Sequence, residues 1–287
     1  MTIHQQTDEP ATGPGGGLVR LRLAVQYDGT AFHGWARQPR LRTVQDELER
    51  GLATVLRTDV DLTVAGRTDA GVHATGQVVH VDVPRGVWAD QRAKLVRRLR
   101  GVLPTDVAVP QVTEAPPDFD ARFGALARHY VYRLTDGPAG PSPLRRADTV
   151  AWPRRLDAAA MDLAAGLLLG QHDFAAYCKR RDGATTIRTL LRLAVARQTE
   201  DDGSETVRVE ASADAFCHSM VRSLVGGLVA VGEGRRPLGW PAGLLARRER
   251  ASDVPVAPAH GLTLVAVDYP DDAELAARAA VTRARRA

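Results

Sequence analysis

The first clear pattern along the chain is a strict alternation. Val19, Leu21, Leu23, Val25 and Tyr27 point one way, with Arg20, Arg22 and Gln26 opposite. A period of two predicts a half-buried strand, ending at the Asp28–Gly29 turn. The period then changes. Val44, Leu48, Leu52, Val55 and Leu56 form the apolar stripe of a helix, which Thr43 can cap with Asp46 three residues on in a near capping box. A short strand is expected over 59–64, a glycine-punctuated loop over 65–76, and a second alternating strand from Gln77 to Val83. A basic helix follows from about Ala89 to Arg100. It buries Leu95, Val96 and Leu99 and exposes Arg92, Lys94, Arg97, Arg98 and Arg100.

Pro104, Pro110, Pro116 and Pro117 interrupt a stretch with little periodicity, which places a domain boundary near residue 115. Beyond it the pattern predicts a strand over Arg128–Leu134, a Pro/Gly loop over 136–143 and a helix from about Asp157 to Leu169. Strands follow near 189–196 and 206–213. A long helix is expected from Phe216, with the stripe Phe216, Met220, Val221, Leu224, Val225 and Leu228, and a last strand over Leu262–Tyr269. Residues 1–17, ending in GPGGG, read as a flexible tail, and residues 271–287 as an Ala/Arg-rich second tail with a frayed helix. Strands and helices mix without a regular βαβ beat. The expected class is α+β, with similar halves over 18–114 and 115–270.

Composition narrows this only slightly. A length of 287 residues suits two domains, and 44% hydrophobic residues exclude wholesale disorder. No apolar run is long enough to span a membrane, and the start lacks a secretory pattern. Two cysteines, Cys178 and Cys217, make neither a disulfide framework nor a zinc site, so a reducing cytoplasm is the expected location. No glycine fingerprint for a dinucleotide or a P-loop occurs. Of 38 basic residues only Lys94 and Lys179 are lysine. A GC-rich coding sequence accounts for that bias as readily as an anionic partner does, and a net charge of +4 does not decide between them.

The segment Ala65-Gly66-Arg67-Thr68-Asp69-Ala70-Gly71-Val72-His73-Ala74 holds an arginine, a carboxylate and a histidine within seven residues of a loop between strands. Gly66 and Gly71 are expected to provide backbone angles closed to other residues. On the residues alone, Asp69 reads equally as a turn residue bonding its own backbone. His218, Arg222 and Gly226 recur every four residues on the expected long helix, off its apolar stripe, which reads as a functional or merely solvated face. Tyr130 and Tyr132 share a strand face with Arg128 and Leu134, where both tyrosines also suit a core.

The run GRTDAGVHATGQVVHV resembles the signature of the tRNA pseudouridine synthase A family. Tyr27-Asp28-Gly29-Thr30 with Phe32, Gly34-Trp35 and Gln38 resembles the family's opening strand and turn. Phe119–Phe123 followed by Arg128–Tyr132 resembles its middle motif. Phe216 through Arg222 resembles the third, and Gly261-Leu262 to Tyr269-Pro270 the closing strand. The resemblance covers residues 18–270. It implies the pseudouridine synthase fold, two α/β halves with largely antiparallel sheets and an active-site cleft between them. It also implies an isomerase that converts uridine to pseudouridine at positions 38, 39 and 40 of the tRNA anticodon stem-loop, as a homodimer, without cofactor or metal. Asp69 falls on the family's essential aspartate. Arg67 falls on the arginine that helps move the base out of the stack, Tyr130 on the tyrosine that stacks on it, and Arg222 on the arginine that pairs with the aspartate. Ser219 stands where the family usually has a second histidine.

This chemistry suits the residues. Isomerisation breaks the bond from ribose C1′ to N1, turns the base and rejoins it through C5. A carboxylate can attack C1′ or the base, or take a proton from C2′. The target base leaves its stack at a cost of a few kcal/mol. Two other classes remain. An RNA-binding or chaperone module would keep the arginines and have no need of Asp69. A hydrolase of nucleosides or phosphoesters usually needs paired carboxylates or a metal cluster, and neither is legible around Asp69.

Overall fold

The computed structural model describes residues 17–179 and 185–284. Gly17 apart, the expected N-terminal tail lies outside the described residues. The chain runs through β1 (Leu18–Tyr27), α1 (Val44–Leu56), β2 (Thr63–Val64), β3 (His73–Pro84), α2 (Arg85–Gln91), α3 (Leu95–Val102) and β4 (Val107–Glu114). It continues with β5 (Ala127–Thr135), β6 (Val150–Ala151), α4 (Ala158–Gly166), β7 (Gly170–Asp173), β8 (Ile187–Thr199) and β9 (Glu205–Ala213). α5 (Met220–Gly232), α6 (Trp240–Gly243), β10 (Leu262–Asp268) and α7 (Leu275–Ala284) complete it.

The strands form one sheet in the order β4-β1-β3-β10-β5-β9-β8-β7, with β2 attached to β3 and β6 to β5. The pairs are antiparallel except β10 with β3 and β6 with β5. The class is α+β, as expected. β10 is the last strand in sequence but central in space, and it pairs the strand behind the Asp69 loop with the strand that carries Tyr130. Cross-strand side chains reinforce this centre: His129 bonds Ser212 of β9 and Asp268 of β10, both at 2.7 Å. Helices α1 and α3 pack at the β4 end, and α4 and α5 towards β8.

The alternation of β1 is realised, with Val19 to Tyr27 buried at every second position. Elsewhere the elements depart from the pattern for local reasons. Thr43 is the first residue before α1 but makes no cap bond, and its hydroxyl is buried without a partner. The amides of Val44 and Gln45 donate instead to the carbonyls of Gly34 and Trp35 (3.2 and 3.0 Å), which leaves a side-chain cap little to do. The single basic helix is two, because Lys94 leaves helical geometry at φ −128°, and Val96 faces solvent. Pro110 sits within β4, an edge strand, where a missing N–H is tolerated beside the register shift between Ala24 and Gln26. β3 starts at His73, four residues early, because β1 and β10 both pair with its first residues.

Candidate active site

Three segments meet at a cavity of about 1150 Å³. The loop 65–72, between β2 and β3, brings Arg67 and Asp69. β5 brings Arg128 and Tyr130. The turn 214–219 and the first turn of α5 bring Phe216, His218, Ser219 and Arg222.

The loop is fixed by its neighbours more than by its own glycines. The amide of Trp35 donates to the carbonyl of Thr68 at 3.0 Å, and that of Gly71 to Phe32 at 3.2 Å. The Thr68 hydroxyl shares a bond of 2.8 Å with Tyr27, whose phenol burial pushes up to about 12. Gln77 donates to the carbonyl of Gly66 (2.8 Å), and the Arg128 guanidinium to that of Ala65 (2.7 Å). Gly71 does need its φ of +77°, where a side chain would be strained. Gly66 does not: its φ is ordinary and a Cβ there would meet nothing, so the expectation for Gly66 is corrected. At Gly34, with φ +94°, a Cβ would stand 2.9 Å from the Thr68 carbonyl, so this glycine lets the 32–35 turn close on the loop.

The structure brings three of the four sequence-predicted site residues around one point. Asp69 projects from the loop with its side chain 29% exposed. Arg222 reaches one of its oxygens, Oδ2, at 3.6 Å, while its Nε donates to the carbonyl of Ala257 at 2.7 Å. Tyr130 lines the same cavity, with its ring edge-on to Phe216 at 5.2 Å between centroids. Burial pushes its phenol well above the ordinary range. Arg67 lines the cavity as well but forms no ion pair with Asp69.

Two Asp69 contacts were not assigned from sequence. The Ser219 hydroxyl donates to Oδ2 at 3.3 Å, and His218 Nε2 lies 3.5 Å from Oδ1. α5 begins at Met220, not at Phe216. Ser219 is left-handed, with φ +63°, and this turn aims His218 and Ser219 at Asp69 while Arg222 arrives from the first helical turn. Helical spacing therefore paired His218 with Arg222 on the right side for the wrong reason. Where the family usually has a second histidine, Ser219 places a hydroxyl at the carboxylate.

Among the described residues Asp69 is the only carboxylate lining the cavity, against Arg67, Arg122, Arg128, Lys179, Arg188 and Arg222. No group of three or more His, Cys, Asp or Glu with metal-holding geometry occurs among them. Arg128 is 5% exposed, and its guanidinium donates to three carbonyls, those of Ala65, Arg122 and Asp214, each from a different segment of the chain. Burial lowers its pKa, since no carboxylate bonds it. The two cysteines, expected from their number to stay reduced, meet instead in a disulfide with Cα atoms 5.7 Å apart, so they give no support to a reducing location; Cys217 lines the cavity beside His218.

A cationic cleft with one carboxylate among its described residues, faced by an aromatic ring and large enough for a nucleotide, suits a nucleic acid or another polyanion. The comparisons narrow this class. The model of the tRNA pseudouridine synthase family matches residues 23–124 and 164–270. The tRNA pseudouridine synthase A of Frankia casuarinae is 62% identical over 271 residues, which cover 94% of this chain and 96% of that protein. Those of Streptomyces griseus and Mycobacterium leprae are 55% and 50% identical, covering 93% and 92% of this chain and 94% of each relative. The chain belongs to the tRNA pseudouridine synthase family.

Proposed function

We propose that the protein isomerises uridine to pseudouridine in the anticodon stem-loop of transfer RNA, at positions 38, 39 and 40, with Asp69 as its catalytic group. The observation that carries this reading is the isolation of Asp69. It is the one acidic side chain described in a cleft rich in arginine, and His218, Ser219 and Arg222 all converge on it. A carboxylate held this way is oriented for attack or proton transfer at the ribose–base linkage. The N1–C1′ bond breaks, the detached uracil turns, C5 bonds to C1′, and the proton leaving C5 is balanced by one gained at N1. Reactant and product are isomers, so no oxidant or cofactor is needed. Tyr130 presents a ring that keeps the free base in the pocket, and Arg67 at the rim helps hold the strand with the base extruded. The binding-module reading gives Asp69 no task, and the hydrolase reading lacks its second carboxylate among the described residues.

Asp69→Asn tests this directly. The amide preserves shape and loses the charge, while Gly71 and the contacts of the loop backbone remain. Pseudouridine mapping on transfer RNA should show turnover reduced by orders of magnitude, with RNA binding and melting temperature retained. Turnover near the wild-type rate would exclude the assignment.

The chain is expected to work in the cytoplasm as a homodimer whose protomers divide near residue 115. Among the described residues no helix is long and apolar enough to cross a membrane. Leu163 on α4 and Leu167 just after it are 63% and 49% exposed, an apolar face suited to a second copy. The halves 18–114 and 115–270 then contribute the Asp69 loop and the Tyr130 and Arg222 wall respectively.

A further inference from the structure

Among the described residues, one cation of the cleft lacks the partner its burial calls for. Arg188, on β8, lines the same cavity as Asp69. One terminal nitrogen donates to the adjacent carbonyl of Ile187 at 2.5 Å. Its Nε is buried and meets no acceptor among the described residues. The carboxylate that attracts it through space, Asp214, has Oδ1 committed to the amides of Thr189 and Ala215, at 3.0 and 2.7 Å. Burial therefore pulls the guanidinium below its ordinary pKa, because the water it lost is not replaced by an ion pair. Arg128 in the same wall is different, since three carbonyls take up its N–H groups. A half-buried planar fork with a bare edge and no bonded carboxylate among the described residues suits a ligand with two anionic oxygens on one atom.

We propose that Arg188 grips a phosphodiester of the RNA strand that carries the target uridine. This rests on the isomerase reading above and adds to it a defined anchor. Once the N1–C1′ bond opens, the base is no longer tied to the sugar. The ribose is then held only by its backbone, and it must keep C1′ facing Asp69 while the base turns. A phosphate fixed on β8, across the cleft from the loop of Asp69, supplies that constraint and converts a loose encounter into a positioned one. A uracil carbonyl is a poorer match, because one neutral acceptor leaves a desolvated cation unneutralised.

The test compares wild type, Arg188→Gln and Arg188→Lys by melting, by transfer RNA affinity across a salt series, and by single-turnover pseudouridine formation. Arg188→Gln should melt close to wild type. It should bind about tenfold more weakly at low salt, in line with loss of one charge-assisted contact. Its plot of log affinity against log salt should be shallower by about 0.7, the share of a single phosphate on a single strand. Its single-turnover rate at saturating protein should also fall. Arg188→Lys should restore the slope and part of the rate, because it keeps the charge and loses the fork. An unchanged slope in Arg188→Gln would overturn the proposal. A reduced rate with an unchanged slope would do the same and assign the guanidinium to the base. Failure of both variants to fold would make Arg188 a brace of β8, again against the proposal. Absence of pseudouridine with the wild-type protein would instead refute the isomerase reading, and the salt slopes would still report on the phosphate.

Discussion

At the scale of single residues, Asp69 is addressed from one short stretch of chain. His218 and Ser219 reach it from the turn before α5, and Arg222 from the first turn of the helix, 3.6 Å from the carboxylate. Arg222 is tied at Nε to Ala257, so its free terminal nitrogen is directed at Asp69 rather than swinging in solvent. Arg222→Ala should therefore lower kcat about a hundredfold, the usual effect of removing one preorganised charge partner, and change RNA affinity far less. Arg222→Lys should recover only part of the rate, because an ammonium cannot serve both Ala257 and Asp69 as the fork does. Steady-state kinetics and binding measured on the same preparations distinguish the two effects. A full rate in Arg222→Ala would leave Arg222 an ordinary helix residue. Asp69, Tyr130, Arg67 and Arg222, which contiguous motifs mark in the sequence, all line the cavity. The environments of Arg128 and Arg188 were not legible, because nothing in an arginine's sequence position says whether its acceptors are carboxylates, carbonyls or absent.

At the scale of elements, alternation and helical stripes located β1, β5, β8, β9, β10 and α1 closely. The misses share a cause: their boundaries are set by tertiary partners. The start of β3 depends on two neighbouring strands, the split between α2 and α3 has no glycine or proline to mark it, and the start of α5 is set by a left-handed serine. α5 also shows why its glycines are there. A Cβ on Gly226 would stand 1.9 Å from the carbonyl of Pro255, so the helix lies directly on the 254–257 segment whose Ala257 holds Arg222. Gly226→Ala must push that backbone aside. It should destabilise the protein by about 1–3 kcal/mol, as overpacking does, and lower turnover through Arg222. Chemical denaturation and kinetics of this one variant check both effects; wild-type values in both would mean the segment moves freely. The Cys178–Cys217 bond ties the end of the 175–178 turn to the same site, across a sequence separation of 39. Closing a loop of that length removes unfolded-state entropy worth about 4 kcal/mol. A reductant should therefore lower the melting temperature, and Cys217→Ser should melt like the reduced protein with or without it.

At the scale of the whole molecule, the mixture of strands and helices was readable in the chain. The continuity of the sheet was not, since no periodicity tells the last strand to lie between β3 and β5. A fold joined this way also depends on charges far apart in sequence. The side chain of Asp136, just after β5, is inaccessible to solvent. It accepts two bonds of 2.8 Å from Arg197 of β8, one of 2.7 Å from the amide of Leu156, and a contact of 3.2 Å from Arg155. The Arg197 bonds, opposed by burial and helped by Leu156, hold its carboxyl down to about 2. An unfolded aspartate titrates near ~3.9. The folded state therefore binds this proton less readily than the unfolded one. The resulting stabilisation is complete above about pH 4 and disappears as the pH falls through 2. Its size is about 2–3 kcal/mol, since each tenfold change in proton affinity is worth roughly 1.4 kcal/mol. Urea unfolding followed from pH 5 to pH 2 should show this decline in the wild-type protein. In Asp136→Asn the decline over that window should be smaller by the same amount, from a lower starting stability, because two arginines then face a neutral amide. Parallel curves for the two proteins would mean that Asp136 titrates alike folded and unfolded, and that the contacts around it do not support the joint between β5 and β8.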